Sequence, residues 1–554
     1  MQLNPSVRTA APDLPMGLAL AMHLDALRAS PRAYLIAMWW RLLGKKVRAN
    51  GQFASLLAAS PHAYALWMRQ NGGADPEADP GGPPIIALID VTAGEGRAER
   101  SIASLKAEGM DWLLIGSAQT PDLAAAVRQL DWQVGFWLMP MTAGDCVARG
   151  ARAAYHAAMA EAEGGEANCL FYADDDLLDS EGRRHGPHFK PDWNAELFRH
   201  FDYLSGASVL RAGREALQAV AAMPEGTGKQ MSGGWVGRLV AMLAGHGRPR
   251  HVCRVLHHRG ARPSPHIPAR PVLPKQDWPT VSLIVPTRNH MELLQTCLKG
   301  VESTDYPAME IIIVDNDSDD PRTLSYLANL DPARYRVIRH PGPFNFSTIN
   351  NRAAQEANGQ FLCLLNNDIE MIDPDWLKIM VLQAQREDVG AVGAQLLYPD
   401  GRLQHAGVVI GLGHAAGHAH RFLRPTEEGY FHRHSLPQFT MAVTAACLVV
   451  ERERFLAVGG LDEGHFAVAF NDVDLCLRLN QRGWQSLYEP RATLIHHESV
   501  TRGFDRDPVG AARFAGELAA LQRLWQTDRI GDPFHHPHLS RASEQFVLDL
   551  ERGR

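Results

Sequence analysis

The chain has 554 residues, of which 45% are apolar and 21% are charged. This length and composition predict a globular protein of two or three domains. The 55 basic and 62 acidic residues leave a formal net charge of −7. That charge argues against a nucleic-acid partner, because nucleic acids select for a basic face. No apolar run reaches the length of about 18 residues that a membrane span needs.

The cysteines and the start of the chain predict a cellular compartment. Seven cysteines are scattered along the sequence without a CxxC pair, a pattern typical of free thiols in a reducing environment. Asp13 and Pro15 lie where a secretory signal would have its apolar core. We therefore expect a cytoplasmic protein.

Residues 1–80 are predicted to form an N-terminal helical segment. Within it, the stretch from Tyr34 to Arg48 couples Trp39 and Trp40 to four basic residues. Two interpretations are open. The helix could pack on the neighbouring domain, or it could lie on a membrane surface, which would associate the protein with the inner face of the plasma membrane.

A proline-rich linker divides the rest of the chain. Residues 259–280 hold six prolines, which favour an extended, semi-rigid segment. After it, in residues 281–535, short apolar strand patterns alternate with helical patterns. Such alternation predicts an α/β domain with a mostly parallel sheet and helices on both faces. Residues 536–554 are left as a C-terminal tail.

Residues 81–258 repeat the same plan in a weaker form. The segment Asp174-Asp175-Asp176 follows an apolar strand pattern, and Asn366-Asn367-Asp368 does the same in the second half. From this parallel we expect the two triplets to occupy equivalent places in two copies of one fold.

Acidic clusters follow or border apolar segments at three places in residues 281–535. They contain Asp315 with Asp317, Asp368, and Asp472 with Asp474. Ligands of an open α/β sheet bind outside the carboxyl ends of the strands, so the clusters predict one site for a cation and a phosphorylated ligand. Each carboxylate could instead close a turn or cap a helix, but that explains the residues singly rather than their coincidence.

The residue types suggest a chemical role for several of these side chains. Asp368 with the amide oxygens of Asn366 and Asn367 offers the oxygen ligands that hard divalent cations prefer. Asp472 is the candidate general base. His496 and His497 end another apolar strand and point to opposite faces, so that one of them could complete a metal shell.

Residues 281–535 resemble a family 2 glycosyltransferase of the GT-A fold, in the branch that builds bacterial polysaccharides. The resemblance rests on several motifs in order: residues 281–289 (VSLIVPTRN), 314–318 (VDNDS), 344–351 (FNFSTINN), 366–368 (NND), 442–447 (AVTAAC), 459–463 (GGLDE), 471–472 (ND) and 496–499 (HHES).

The resemblance implies a role for each site residue. Contacts to the nucleotide sugar would come from Pro286, Thr287, Arg288, Asp315, Asp317, Asn350 and Asn367. Asp368 would bind Mg²⁺ or Mn²⁺, with His496 or His497 beside it. Asp472 would be the base, and Asn471 and Asp474 would lie on the acceptor side.

The sequence also departs from the family pattern. Asn366 and Asn471 stand where the family has acids, which removes two negative charges from the expected pocket. Residues 81–258 resemble the same fold in a decayed state. There, Asp174-Asp175-Asp176 could act as the metal motif, but residues 231–235 offer no carboxylate where a base would fall. We interpret this half as a non-catalytic or crippled domain that binds the acceptor or organises the enzyme.

Taken together, the resemblance implies an inverting, metal-dependent glycosyltransferase. Its donor would be a UDP- or dTDP-linked sugar, with rhamnose a candidate, and its acceptor a bacterial surface glycan, free or lipid-linked. The alternative is a non-catalytic protein that binds nucleotide sugars within a polysaccharide assembly complex.

Overall fold

In the computed structural model, residues 16–71, 78–162, 169–223, 234–497 and 508–550 are described. The α-helices are α1 (Met16–Ala29), α2 (Pro31–Leu42), α3 (Lys46–Ala58), α4 (Ala63–Asn71), α5 (Ala98–Ala107), α6 (Leu123–Gln129), α7 (Ala151–Ala162), α8 (Ala195–Phe198), α9 (Arg214–Ala222), α10 (Trp235–His246), α11 (Met291–Glu302), α12 (Pro321–Ala328), α13 (Phe346–Glu356), α14 (Trp376–Ala384), α15 (Arg452–Ala457), α16 (Asn471–Gln481) and α17 (Pro508–Trp525). Short 3₁₀ turns span Glu95–Arg97, Leu412–His414 and Arg433–Ser435.

The strands fall into two large mixed sheets and one small hairpin. They are β1 (Ile85–Asp90), β2 (Asp111–Ile115), β3 (Trp137–Thr142), β4 (Cys146–Val147), β5 (Leu170–Leu178), β6 (Arg184–His188), β7 (Ser208–Leu210), β8 (Arg250–Arg259), β9 (Val281–Thr287), β10 (Met309–Asp315), β11 (Tyr335–Arg339), β12 (Phe361–Leu365), β13 (Ile369–Met371), β14 (Val389–Leu397), β15 (Leu403–His405), β16 (Val408–Ile410), β17 (Ala416–His418), β18 (Gln438–Thr440), β19 (Cys447–Glu451) and β20 (Gln485–His496).

The C-terminal sheet has the order β11-β10-β9-β12-β19-β14-β20-β13. Its central strands are buried along their whole length, as expected for strands covered by helices on both faces. β9, β10, β11 and β12 run parallel, while β19 is antiparallel to both of its neighbours, β12 and β14. This mixed sheet is the GT-A fold that the sequence implies.

The N-terminal sheet has the order β2-β1-β3-β7-β5-β8-β4. β7 is antiparallel to β3 and β5, as β19 is to β12 and β14. In sheet order, β2, β1, β3, β7, β5 and β8 therefore take the places of β10, β9, β12, β19, β14 and β20. Of the strands in the described residues, β11 has no counterpart in this sheet. The predicted repeat is present at the level of topology.

The topology corrects one predicted equivalence. β5, which carries Asp174-Asp175-Asp176, is the counterpart of β14, whereas Asn366-Asn367-Asp368 follows β12. The prediction that the two triplets are equivalent is therefore wrong. Instead, Asp145 immediately precedes β4 as Asp368 precedes β13, and both short strands pair antiparallel with the last long strand of their sheet. An acid after an apolar run is a local pattern, but strand pairing decides which strand it belongs to.

The two sheet domains dock through specific contacts. Asn194 caps α8 and also bonds both backbone groups of Phe439, with its Nδ2 2.8 Å from the carbonyl oxygen and its Oδ1 3.2 Å from the amide. Arg386 of the C-terminal domain lies 2.7 Å from Glu196 of the N-terminal one. Residues 260–280, all of them described, contain no helix or strand and connect the two domains.

The chain after α17 returns to the N-terminal domain. The Asp192 amide donates to the Pro533 carbonyl at 2.8 Å, and the His536 ring lies 2.9 Å from Asp174. Phe546 stacks on His420 with ring centroids 4.4 Å apart. This segment therefore ties the two domains together. Among the helices described, none is both long and apolar enough to cross a membrane.

Candidate active site

Three predicted site residues meet at the carboxyl edge of the C-terminal sheet. Thr287 ends β9 and lies directly opposite Asp315, which ends β10. Asn367, two residues after β12, donates from Nδ2 to Thr287 Oγ1 at 3.0 Å. The structure thus brings together side chains from three neighbouring strand ends. Pro286 is buried one residue earlier in β9, and Arg288 is exposed one residue later.

The turn after β10 combines a structural carboxylate with an exposed one. Asp315 Oδ1 accepts the Ser318 amide at 3.1 Å, and its Oδ2 lies 3.6 Å from Arg339 Nε. Asp317 is exposed and adopts a left-handed backbone with φ of 58°. Asp315 therefore shapes the turn that presents Asp317 at the edge of the sheet.

Asp368 and His496 form the centre of the site. The His496 ring nitrogen Nε2 lies 3.2 Å from Asp368 Oδ1, because His496 is paired in register with Ile369 across β13 and β20. The other ring nitrogen, Nδ1, lies 2.7 Å from Gln404 Oε1. An amide oxygen accepts only, so Nδ1 carries a proton and donates to Gln404, and Nε2 is the ring nitrogen that faces the carboxylate.

That arrangement fits a cation. A carboxylate oxygen and an imidazole lone pair at 3.2 Å repel each other unless a proton or a metal ion lies between them. Carboxylate and imidazole are also a donor pair used by divalent metals. His497 points elsewhere, with its Nε2 2.9 Å from Glu370. Of the two histidines predicted as metal ligands, only His496 faces Asp368.

Asp472 lies in the first turn of α16. Its Oδ2 accepts the Ala445 amide at 3.1 Å and its Oδ1 accepts the Val473 amide at 2.8 Å. Burial raises the pKa of Asp472 above the ordinary carboxyl value, and these backbone hydrogen bonds only partly offset it. A carboxylate with a raised pKa is a stronger base than an exposed one.

A single dipeptide connects the two acidic centres. The Ala445 amide donates to Asp472, and the next residue, Ala446, accepts the Asn366 amide at 2.9 Å. Asn366 in turn lies two residues before Asp368. The pair Asp368–His496 and the candidate base Asp472 therefore lie on either side of the same short stretch of backbone before β19.

Three predicted site residues have structural partners instead. Asp474 binds Arg478 Nε at 2.8 Å and the Trp525 indole at 2.9 Å, which attaches α17 to α16. Asn471 donates to the Val468 carbonyl, and the buried Asn350 donates to the Phe346 carbonyl in its own helix. We therefore leave Asp474, Asn471 and Asn350 out of the proposed ligand contacts.

The structure adds two residues that sequence reasoning missed. Gln404 orients His496 across 92 positions of sequence, and no local pattern identifies it. Asn351 holds the loop before α16, with Nδ2 2.8 Å from both the Leu461 carbonyl and Glu463 Oε1. Gly460 in that loop has φ of 70°, and a Cβ there would lie 2.4 Å from Asn351 Oδ1. The glycine-rich turn is thus matched to Asn351.

The acidic triplet of the N-terminal domain is neutralised by the protein itself. Asp174 lies 2.9 Å from each of the His251 and His536 rings, Asp175 lies 2.8 Å from Lys190, and Asp176 lies 2.6 Å from Arg184. Burial alone would raise the pKa of each carboxyl, but these cationic partners hold all three below the ordinary value. All three carboxylates therefore already have cationic partners, which disfavours the possibility that the triplet acts as a metal motif.

Asp145, the topological counterpart of Asp368, faces a side-chain cation. Its Oδ2 lies 4.0 Å from Arg259 Nε, and its Oδ1 accepts the Gly260 amide at 2.8 Å. His258, which pairs with Cys146 as His496 pairs with Ile369, binds Asp176 at 2.7 Å instead. In the first turn of α10, the counterpart of α16, there is no acid. Residues 231–233 of the predicted motif lie outside the described residues.

One group of three metal-type side chains exists elsewhere in the described part of the chain, formed by His251, Cys253 and His536. Its geometry favours an ion-pair network. His536 Nδ1 accepts the His538 amide at 3.0 Å, so the ring proton lies on Nε2, which faces Asp174. A metal here would have to displace that proton and break the contact to Asp174.

The fold and the site place a carboxylate and a histidine at the edge of an α/β sheet where ligands of such sheets bind. Residues 282–434 match the family model described as glycosyl transferase family 2. The chain therefore contains a glycosyltransferase family 2 domain in its C-terminal half.

Two longer curated proteins are similar to most of this chain. The chain is 38% identical over 424 residues to the uncharacterized protein y4gI of Sinorhizobium fredii, covering 69% of this chain and 46% of the relative. It is 36% identical over 420 residues to the O-antigen biosynthesis protein RfbC of Myxococcus xanthus, covering 68% and 32%. The chain thus spans less than half the length of these two relatives.

A shorter match covers 67 residues at 43% identity. It is to an N-acetylglucosaminyl-diphospho-decaprenol L-rhamnosyltransferase of Mycobacterium tuberculosis, over 12% of this chain and 21% of that protein.

Proposed function

We propose that this protein is an inverting, metal-dependent glycosyltransferase that uses a nucleotide-diphosphate sugar. One observation carries the proposal: Asp368 Oδ1 and His496 Nε2 face each other at 3.2 Å, and a second carboxylate, Asp472, has a raised pKa. The first pair suits a cation and a diphosphate, and the second suits a hydroxyl proton. Transfer from a nucleotide sugar to an alcohol needs both.

The chain's own residues divide the work. The edge formed by Thr287, Asp317 and Asn367 would hold the nucleotide. Asp368 and His496 would hold Mg²⁺ or Mn²⁺, which neutralises the charge of a diphosphate leaving group. Asp472 would remove the proton from the acceptor hydroxyl as its oxygen attacks the anomeric carbon from the face opposite the diphosphate. Attack from that face inverts the configuration.

The substrates are proposed from the relatives and the sequence motifs. A UDP- or dTDP-linked sugar is the proposed donor, and rhamnose is the proposed sugar, as in the short match to a rhamnosyltransferase. The proposed acceptor is a bacterial surface glycan carried on a lipid, in keeping with a relative named for O-antigen biosynthesis. The reaction would take place at the inner face of the plasma membrane.

The test is a transfer assay with the purified chain. UDP-, dTDP-, GDP- and CMP-sugars are offered with Mn²⁺ and a panel of lipid-linked glycans, and nucleotide release is measured together with the mass of the acceptor. We expect one donor to give metal-dependent transfer that Asp368→Asn and Asp472→Asn strongly reduce. Donor binding without transfer to any acceptor would instead favour the non-catalytic scaffold, the alternative to which the asparagines at positions 366 and 471 point.

A further inference from the structure

Helix α2 has an apolar side that faces the protein and a second one that faces outward. On the inner side, Tyr34, Ala37 and Trp40 pack with Phe53 of α3. This packing accounts for three of the apolar residues in α2 and leaves the others without a role in the folded chain. The interpretation that the helix merely packs on its neighbour therefore explains the inner side of α2 but not its outer side.

The outward side is a continuous apolar stripe. Its residues recur at the helical spacing i, i+4, i+7 and i+8 and continue into the start of α3, each between 47% and 76% exposed: Leu35, Ile36, Trp39, Leu42, Leu43 and Val47. Ten of the 21 large apolar side chains that are exposed in the described residues lie between positions 20 and 47. Apolar patches of this kind mark interaction surfaces.

The charged residues around the stripe are all basic. Residues 26–74 contain seven basic residues and no acidic one, in a chain whose net charge is −7. Five of these cations surround the stripe and are exposed: Arg32, Arg41, Lys45, Lys46 and Arg48. Within the described residues, none of the five forms an ion pair. The surface therefore offers apolar side chains and unneutralised positive charge together.

That combination selects among possible occupants. Protein interfaces are depleted in lysine, and a second copy of this chain would bring the same five cations against one another. An anionic bilayer instead accepts tryptophan and leucine at its interface and attracts each neighbouring cation. Lysine and arginine side chains can also keep their charge at the headgroups while their methylene groups cover apolar surface.

We propose that the outer side of α2 and the start of α3, here called the membrane face, docks this protein on an anionic lipid surface. The docking itself does not depend on transferase activity. Its benefit, which is to hold the active site near a lipid-linked acceptor, rests on the proposed function. A short interfacial helix with a cationic border binds reversibly, so salt should release it.

The test is flotation of the full chain with lipid vesicles. Vesicles of phosphatidylcholine alone are compared with vesicles containing about one third phosphatidylglycerol. We expect binding to the anionic vesicles only, weakened by high salt. Trp39→Ser with Leu42→Ser should abolish it, and Lys45→Glu with Lys46→Glu should weaken it at least about tenfold. Val272→Ser, at a remote position that is 96% exposed, is the matched control and should bind normally.

Several results would overturn the proposal. They are failure of the unaltered chain to bind anionic vesicles, equal binding to neutral vesicles, or equal loss in the control variant. Light scattering of the same proteins adds a further one: a dimer that Trp39→Ser with Leu42→Ser converts to monomer would show that a second copy covers the stripe. If the unaltered chain binds anionic vesicles but transfers no sugar, the proposed function is contradicted and this inference stands.

Discussion

The two α/β domains share a strand order but differ in what neutralises their buried carboxylates. In the C-terminal domain, Asp368 faces the His496 ring, and Asp472 accepts two backbone amides. In the N-terminal domain, Asp145 faces Arg259, and Asp174, Asp175 and Asp176 are paired with histidine, lysine and arginine. The same framework holds negative charge in both, and we propose that an external cation contributes to its compensation in the C-terminal domain.

This difference has a physical basis. A buried carboxylate is costly unless a positive partner compensates it. When the partner is a side chain of the same protein, the site is complete and gains nothing from a metal. Beside Asp368 and His496, we propose that a bound metal ion supplies part of this compensation. A domain can thus keep the fold and lose the chemistry through a few basic substitutions.

The largest effect is expected at Asp472, the candidate general base of the C-terminal domain. Asp472→Asn should lower kcat by about 10²–10⁴-fold, the usual contribution of positioned proton transfer, while nucleotide affinity stays nearly unchanged. The matched control is Asp474→Asn, which breaks the contact to Arg478 and Trp525. It should lower stability but leave the kcat of folded protein close to normal. Near-normal turnover in Asp472→Asn would remove this residue from the mechanism.

The pH dependence of activity gives a second test of Asp472 as the general base. A base works only when ionised, and burial raises the pKa of Asp472. Activity should therefore fall on the acidic side at a higher pH than an ordinary aspartate, with a pKa near 3.8, would give. A profile of kcat/KM against pH measures this, and the acidic limb should disappear in the residual activity of Asp472→Asn. A limb that persists there would belong to another group.

The N-terminal acids should matter for stability rather than turnover. Asp175→Asn leaves Lys190, Arg259 and Arg262 near an uncharged group and should cost about 3–5 kcal/mol of unfolding free energy, as for other broken buried pairs. Denaturant unfolding measures the loss. Glu181→Gln, at an exposed pair with Arg183, is the control and should change little. Loss of turnover at unchanged stability would instead give this domain a catalytic role.

The stabilising effect of Asp175 also has a defined pH window. Its pKa is lower in the folded state than in the unfolded chain. Its contribution is therefore complete above the unfolded value near 3.8 and is lost as the pH falls below it. The stability gap between the wild type and Asp175→Asn should narrow at acidic pH.

The smallest expected effect tests the residue that orients His496. Gln404→Ala removes the acceptor that keeps the ring proton on Nδ1. Loss of such a supporting contact typically weakens metal affinity about 10–100-fold, and Gln404→Glu, which still accepts, should preserve it. Isothermal titration with Mn²⁺ and a nucleoside diphosphate measures both. Equal affinity in all three proteins would exclude this role for Gln404.

The sequence predicted the fold better than it predicted the contacts made between distant segments. β9, β10 and β12 are uniform apolar runs, so their ends and the acids after them could be located without a structure. The partner of His496 could not, because Gln404 reaches it only through the pairing of distant segments. The placement of Asp174-Asp175-Asp176 failed for the same reason: strand order is set by long-range pairing, which a local pattern does not contain.

The most direct test of the contrast between the domains is thermal unfolding with UDP, dTDP, GDP and CMP, each with and without Mn²⁺. A ligand at 100 times its Kd adds about 2.7 kcal/mol of stability. We predict that one diphosphate stabilises the protein only with metal, that Asp368→Asn abolishes the effect, and that Asp145→Asn, at the equivalent place in the other domain, retains it. Stabilisation lost in Asp145→Asn but kept in Asp368→Asn would contradict the account.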